Sequence, residues 1–571
     1  MFKAFRKERE EGQSPPKVVI LGGGYGGVYT CRALEKAARR GQIELSLVSR
    51  DNFFLFQPML AEVVSGSIEP PHILNPIRRL CRATSFFQAE IEAVDMDDRN
   101  VIIRYPGHTG YRSISFDHLV IAVGSSIDLS ALPGVAEHAF PFKTMGDALM
   151  LRDHVIGVLE SAEVETDPDE KNELLNFVVV GGGYTGVEVA AEINEFVREA
   201  AKSYPHVNNE EIDVILLQGA GRILPELAEG LARFSHRLLV RRGIEIRLNT
   251  RIKSATAQSA ILSDGTVIPT HTLVAAVGTA PNRLLDSLLC PKGPRGRLLV
   301  DDNLAVQACP EVWGVGDCAA IPDLRAGGTC PPTAQYALAE AKHVARNILA
   351  TIKGEGLRPF SYRSLGVFVP LGRFSAAAEV LGFKLSGFLA WWLYRTYYLY
   401  QLPRLERKLR VVIDWTLQLI FRRDIVKMDV ARSEGISRAH HEAGEIIFRQ
   451  GELARSFYII LTGQVQVFRQ ENQRETPMAT LGPGEYFGEM SLLRAVRHTA
   501  SVRALTPTDL LIMSGTDFTA LADSSTRFGE LLAGVMRQRE HANATLEASQ
   551  SVDLESGEPS APPPRSDRSE G

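Results

Sequence analysis

Residues 17–41 read KVVILGGGYGGVYTCRALEKAARRG. An apolar run, Val18 to Leu21, leads into Gly22-x-Gly24-x-x-Gly27 and then into a helical stretch. Each glycine in such a segment has its own physical task. One makes the tight turn, one lets the backbone approach a pyrophosphate, and one lets helix and strand pack closely. The N–H groups that open the helix are then free to hold phosphate oxygens. A lone match of this kind also occurs in purely structural turns. Residues 177–193, FVVVGGGYTGVEVAAEI, repeat it as Gly181-x-Gly183-x-x-Gly186 in the same strand–turn–helix setting. Two fingerprints in one chain predict two Rossmann-type α/β folds, with FAD on the first and a nicotinamide dinucleotide on the second.

The residue that closes the second strand of such a unit is expected to be an acid bonded to a ribose hydroxyl. ELSLVSRDN places Ser49 there in the first unit, and DVILLQGAGR places Gln218 there in the second. Gln218 can bond a ribose but does not repel a 2′-phosphate, so NADH is the expected donor and NADPH stays open. FDHLVIAVGS (116–125) and THTLVAAVGTAPN (270–282) read as strands ending in turns at Gly124 and Gly278, the first assigned to FAD and the second to the nicotinamide nucleotide. VWGVGDCAAIPD (312–323) ends an apolar strand at Gly316-Asp317, where a carboxylate could accept from a flavin ribityl hydroxyl. The alternative for Asp317 is an ordinary helix N-cap.

Working outward, 571 residues are too many for one core. We expect a polar tail over 1–16, an FAD/NAD(P)-binding oxidoreductase over 17–382 with its NAD part at about 174–282, an amphipathic membrane-association region over 383–428, a β-rich domain over 433–545 and a disordered tail over 546–571. A net charge of −5 argues against a nucleic-acid partner. The six cysteines include no CxxC pair and no zinc spacing, so no metal site is expected and reduced thiols are the plain reading. The N-terminus shows no signal-peptide core, and no apolar run reaches the ~20 residues of a spanning helix.

Several longer stretches carry a family resemblance: DNFFLFQPMLAEVVSG (51–66), FPFKTMGDAL (140–149), GRILPEL (221–227), PPTAQYALAEA (331–341) and LPRLERKLRVVIDWTLQLIFRRDIV (402–426). With the two fingerprints, they make residues 17 to about 428 resemble the type II NADH:quinone dehydrogenases, single-subunit respiratory enzymes that pump no protons. The resemblance implies non-covalent FAD, NADH as hydride donor and a quinone as acceptor. The family's quinone motif matches Ala334, Gln335 and Ala337, and its second glutamine is replaced by Ala339, followed by Glu340. Gln335 would donate to a quinone carbonyl, and Ala334 and Gln335 would lie along the flavin. Glu188 and Glu192, one helical turn apart on the second fingerprint helix, stand where family glutamates assist the flavin and the quinone. A solvated face or an ion pair is the competing reading for both.

SGFLAWWLYRTYYLYQL (386–402) is rich in Trp and Tyr, which favour a bilayer interface. In the basic helix after it, Leu405, Leu409, Val412, Leu417 and Ile420 fall near one side, and Arg404, Arg407, Lys408, Arg410, Arg422 and Arg423 are expected to supply positive charge for anionic headgroups. The expectation is a peripheral protein on the cytoplasmic face of the cell membrane, where a quinone is at hand. A packed helix or a homodimer contact is the alternative use of that face.

HHEAGEIIFRQGELARSFYIILTGQVQVF (440–468) and LGPGEYFGEMSLLRAVRHTASVRAL (481–505) resemble the cyclic nucleotide-binding β-roll. Gly488 and Glu489 match its phosphate cassette, with Glu489 on the ribose. The family's phosphate-pairing arginine is replaced by His498, with Arg497 one residue early and Thr499 after it. Cyclic nucleotide as ligand and no ligand at all both stay open. Two other functions compete for the whole chain: a sulfide:quinone-type flavoprotein, which would need cysteines on both sides of the flavin, and a redox sensor with incidental turnover.

Overall fold

The glycine turn after Leu21 sits at the centre of a parallel sheet, and the architecture follows from that. In the computed structural model, described for residues 14–106, 111–364, 366–428, 436–452, 456–471, 474–489 and 498–514, the chain divides into two compact units, one of Met1–Ser254 and Gln258–Val430 and the other of Ala255–Ala257 and Ala431–Gly571.

In the first unit, β1 (Lys17–Leu21) feeds α1 (Tyr25–Arg39), followed by β2 (Glu44–Ser49), β3 (Ser85–Gln88) and β4 (His118–Ile121). With Val312–Gly314 they form a five-stranded sheet in the order Val312–Gly314, β4, β1, β2, β3, parallel throughout. Strands of such a sheet are covered on both faces, which is why β4 is buried at every position. The second fingerprint repeats the plan. β5 (Asn176–Val180), α2 (Tyr184–Ala200), β6 (Asp213–Gln218), β7 (Ile244–Leu248) and β8 (Thr272–Ala275) build a sheet in the order Phe140–Pro141, β8, β5, β6, β7. α3 (Ala334–Lys353) carries the segment read as a quinone motif.

β9 (Gly366–Pro370), β10 (Ala376–Val380) and β11 (Phe383–Gly387) form an antiparallel sheet. Residues 383–387, expected to open the amphipathic region, are thus an edge strand. α4 (Phe388–Gln401) and α5 (Leu405–Leu417) follow. Among the described residues no helix is long and apolar enough to cross a membrane.

The second unit is antiparallel: β12 (Ile436–His441), β13 (Ile446–Phe448), β14 (Ser456–Thr462), β15 (Val465–Glu471), β16 (Arg474–Leu481), β17 (Tyr486–Phe487), β18 (Ser501–Ala504) and β19 (Thr508–Ser514). Two four-stranded sheets, β12–β19–β14–β17 and β13–β18–β15–β16, enclose a core that includes Phe448, Ile460, Val465, Phe487 and Leu510. The helix expected up to 545 and the C-terminal tail lie outside the described residues.

Two expectations need correction. The cysteines are not all thiols: Cys290 and Cys309 form a disulfide, and Cys31, Cys81, Cys318 and Cys330 are free and buried. Scattered spacing hid the pair because the fold brings together two positions 19 apart in sequence. The aromatic cluster is also divided. Trp391, Tyr394 and Trp415 are buried, whereas Phe388, Leu389, Trp392 and Tyr400 are exposed. Neighbours in a helix point about 100° apart, so one Trp-Trp pair serves both the core and the surface.

Candidate functional site

α1 and α2 share an unusual start. Their N-caps are Gly24 and Gly183, and neither helix has a side-chain cap. The helix Met145–Val164 shows the contrast, since Thr144 and Asp147 close a capping box there. The orphan N–H groups of a helix N-terminus need partners, and at both fingerprints they are left for a ligand. The space is there too: a Cβ on Gly24 or Gly183 would meet nothing within 4 Å. Elsewhere the turn is tight. Gly22 has φ +110°, and a Cβ on Gly27 would lie 1.8 Å from Gly22 O. The second fold has the same geometry at Gly181 and Gly186.

The first fold therefore fits FAD. Gly24 and the start of α1 would hold the pyrophosphate. Ser49, closing β2, is buried against the glycine turn, where a Cβ on Gly23 would lie 2.3 Å from its Oγ. Gly124 follows β4 at φ +67° and faces open space. Asp317 does not cap a helix. Its carboxylate accepts from Ser125 Oγ at 3.0 Å, and Ser125 Oγ in turn accepts from Lys143 Nζ at 2.5 Å. Burial pulls the Lys143 amine down, and the charges of Asp317 and Asp147 oppose that. The Tyr25 hydroxyl, one residue into α1, is buried with no hydrogen-bond partner among the described residues.

Glu340 was noted only as a departure from a motif, but it has a structural place. It is 2% exposed, and its carboxylate accepts the Gly316 N–H at 2.8 Å, holding the Gly316–Asp317 turn. Burial pushes it up to about 8. Gln335 is engaged at both ends of its amide: Nε2 donates to Gly366 O at 2.9 Å and Oε1 accepts from Ser364 Oγ at 3.2 Å. One amide hydrogen is left for a ligand. Ala334 opens α3 after Thr333, which makes no side-chain cap bond.

In the second fold Gln218 closes β6. Its Oε1 accepts the Gly182 N–H at 3.1 Å and its Nε2 donates to Arg222 O at 3.1 Å. Gly278, at φ +79°, packs where a Cβ would lie 2.6 Å from Asp128 O.

Glu188 and Glu192 on α2 meet a third carboxylate that sequence reasoning missed. Glu62, on the short helix Ala61–Val64, is 5% exposed. It accepts from Trp415 Nε1 at 2.8 Å and from Tyr394 OH at 3.3 Å, with Arg395 at 3.7 Å. The Arg395 guanidinium lies between the Trp391 and Trp415 rings, 4.2 and 4.3 Å from their centroids. Ser65 Oγ donates to Glu192. Burial raises Glu188 well above the usual carboxylate range, and Glu62 and Glu192 add to the effect. Burial pushes Glu192 up to about 7 against the pull of Arg423. The one signal for Glu62 is a lone acid inside the mostly apolar run 53–64.

In the second unit Gly488 turns at φ +91°, and a Cβ there would lie 2.8 Å from Ser456 O. Glu489 is buried and Thr499 exposed. Arg497 lies outside the described residues. The His498 ring stacks on Phe448 with centroids 3.7 Å apart, and burial lowers its pKa.

Comparison with known proteins agrees with this geometry. Residues 16–341 match the family model described as pyridine nucleotide-disulphide oxidoreductase, and residues 438–525 match the cyclic nucleotide-binding domain. A probable NADH dehydrogenase of Dictyostelium discoideum is 30% identical over 427 residues, covering 74% of this chain and 93% of that protein. The type II NADH:quinone oxidoreductase Ndh of Mycobacterium tuberculosis is 31% identical over 431 residues, covering 72% and 90%. Among solved structures, NDH2 from Plasmodium falciparum in complex with NADH superposes with a TM-score of 0.67 at 21% identity, over 72% of this chain and all of that one. The chain thus belongs to the pyridine nucleotide-disulphide oxidoreductase family, in its type II NADH:quinone oxidoreductase branch, with a cyclic nucleotide-binding domain following the oxidoreductase.

Proposed function

We propose that the chain takes a hydride from NADH at the second nucleotide fold and reduces a quinone at the cytoplasmic surface of the cell membrane, through FAD held by the first fold. Bound FAD supplies the two-electron chemistry. The observation that carries the reading is the carboxylate cluster of Glu62, Glu188 and Glu192, in which Glu62 and Glu192 are buried and Glu188 is half-buried, with Tyr394 of the aromatic helix α4 and Trp415 bonded to Glu62. Reducing a quinone to a quinol consumes two protons as well as two electrons. Burial penalises the charged forms of Glu188 and Glu192 and raises both above the usual carboxylate range, Glu192 to about 7. Ser65 orients Glu192, and Tyr394 and Trp415 fix Glu62. Gln335 holds the start of β9 and has one amide hydrogen to offer a carbonyl. Gly24 and Gly183 open the two helix N-termini to the pyrophosphates.

The sulfide:quinone alternative needs a nucleophilic thiolate. Cys318 and Cys330 are both pushed up to about 12 by burial, which weighs against it. Membrane attachment is assigned to the outer face of α5 and the residues after it, where Leu405, Leu409, Ile413, Ile420 and Phe421 are exposed. A second copy of the chain is the competing occupant of that face. The second unit is read as a regulatory module. A neutral, stacked His498 brings no positive charge to a cyclic phosphate.

The test is anaerobic. The purified protein should be yellow, bleach with NADH, and recover colour with a soluble quinone. A folded, colourless protein, or a bleached one that no quinone reoxidises, would end the reading.

A further inference from the structure

We propose that Arg423 is a positioning residue for quinone reduction, held against the carboxylate cluster of Glu62, Glu188 and Glu192 by a polar strap, residues 418–428, so that docking of the strap sets the proton-delivering half of the cycle. The inference rests on the oxidoreductase reading above and concerns how its carboxylate cluster is controlled.

Over 418–428 the chain makes no helix or strand. Polar bonds tie it down instead. Gln418 Nε2 donates to Gly66 O at 3.0 Å, and Gln418 O accepts from Arg373 Nη2 at 2.9 Å. Arg423 N–H donates to Glu199 Oε1 at 3.1 Å. Asp424 O accepts from Arg152 Nη2 at 2.5 Å, and Met428 N–H donates to Asp153 Oδ1 at 3.1 Å. Apolar anchoring is slight. Ile425 packs on the large core, while Leu419, Ile420, Phe421, Val426 and Met428 are exposed. A segment with few buried apolar contacts opens at a lower free energy than the whole domain.

Arg423 is what the strap brings to the cluster. Its side chain is 7% exposed. Nη2 donates to Glu195 Oε2 at 3.2 Å. Nη1 lies 3.9 Å from Glu199 Oε2 and makes no hydrogen bond to a described residue. Glu195 is shared with Arg242, whose Nη1 donates to Oε1 at 2.6 Å. A cavity of about 20 Å³ is lined by Arg423, Glu195, Glu192 and Glu62 together, so the guanidinium and the carboxylates face one space. The charged and titratable groups around Glu192 are Glu62 on Ala61–Val64, Glu188 and Glu195 on its own helix, Tyr394 and Arg395 on α4, and Arg423 on the strap. Arg395 is committed to Glu62 at 3.7 Å. Burial raises Glu192 to about 7, and Arg423 opposes the rise. Lifting the strap withdraws that positive charge and leaves Glu192 a weaker acid.

The test uses the full chain with its FAD, reduced by NADH and reoxidised by a soluble quinone in stopped flow across pH. Arg423→Gln should move the alkaline limb of reoxidation up by about one pH unit, because loss of a nearby cation strengthens proton binding. Hydride transfer from NADH should stay within about twofold of wild type. Arg423→Lys keeps the charge and should hold the limb within about half a pH unit of wild type. Asp153→Ala removes an anchor at the far end of the strap and leaves the cluster alone. It should speed hydrogen exchange of the Arg423 amide, whose acceptor Glu199 is untouched, about tenfold, and move the limb in the same direction. A merely structural Arg423 would slow both half-reactions and leave the limb in place, which overturns the inference. So does an Arg423 amide whose exchange Asp153→Ala does not alter. If Arg423→Gln does not retain flavin, Asp153→Ala decides: a limb that moves with the faster exchange supports the inference, and an unmoved limb overturns it. If no quinone reoxidises the reduced wild type, the oxidoreductase reading fails, and hydrogen exchange still decides whether the strap detaches.

Discussion

Glu192 and Glu340 are acids whose burial has opposite uses. Glu192 lies in a cluster with two other carboxylates, and its protonated form persists up to about pH 7. If it delivers a proton to the quinone, reoxidation of the reduced flavin should slow as pH rises through about 7, because the donor is then lost. Glu192→Gln should lower that rate about tenfold or more and flatten this limb, while hydride transfer from NADH persists. Stopped-flow measurement of the two half-reactions checks this, and a limb that survives the substitution assigns the proton elsewhere. Glu340 instead accepts one N–H bond and holds a turn. Its folded pKa of about 8 lies above the ordinary value of 4.5, so the folded chain binds a proton that the unfolded chain releases. Its contribution is fully present below about pH 4.5 and is lost as pH rises through about 8. Glu340→Gln keeps the acceptor and removes the charge, so its melting temperature should exceed that of the wild type at pH 8.5 and converge with it at acid pH. Scanning calorimetry at several pH values reads the difference directly.

The helices show which parts of the site could be read from sequence. The two glycine N-caps were legible because a phosphate cradle constrains spacing within seven residues, and the folds they announce are present. Glu62 was not legible, because its partners Tyr394 and Trp415 come from helices more than 300 positions away. The Cys290–Cys309 pair escaped for a similar reason, since turns bring it together and no periodic pattern marks it. On α4 the Trp and Tyr content alone does not separate the aromatic residues that fill the core from those on the surface. On α5 the amphipathic reading corresponds to exposed apolar residues, Leu409 at 57% and Ile413 at 55% among them. If this face enters the headgroup boundary, each such side chain contributes roughly 1–2 kcal/mol of transfer free energy. Leu409→Asp with Ile413→Asp should then lower partitioning onto anionic liposomes at least tenfold while leaving FAD content unchanged. Unchanged partitioning together with a shift from dimer to monomer in analytical ultracentrifugation would give the face to a second copy of the chain.

At the scale of the whole chain, the apolar cores are separate. Among the described residues, the large cluster around β1 and β5 runs through Trp415. The second unit buries its own set, from Phe448 to Leu510. Units with separate cores unfold as separate cooperative transitions unless a large apolar interface couples them. A chain ending at Met428 keeps the nucleotide folds, the carboxylate cluster, α4 and α5, because each of their polar contacts cited here lies within residues 14–428. It should therefore retain bound FAD and turn over NADH and a soluble quinone within about threefold of the full chain. Its thermal transition should match one of two in the full chain, and the missing one should belong to the β-rich unit. If removal of that unit instead abolishes FAD binding, the second unit is part of the oxidoreductase and not a module appended to it. If turnover changes severalfold with FAD intact, the unit regulates the enzyme. Addition of cyclic AMP and cyclic GMP to the full chain then asks whether a nucleotide moves the rate in the same direction, and without a cation from His498 the expected shift is small.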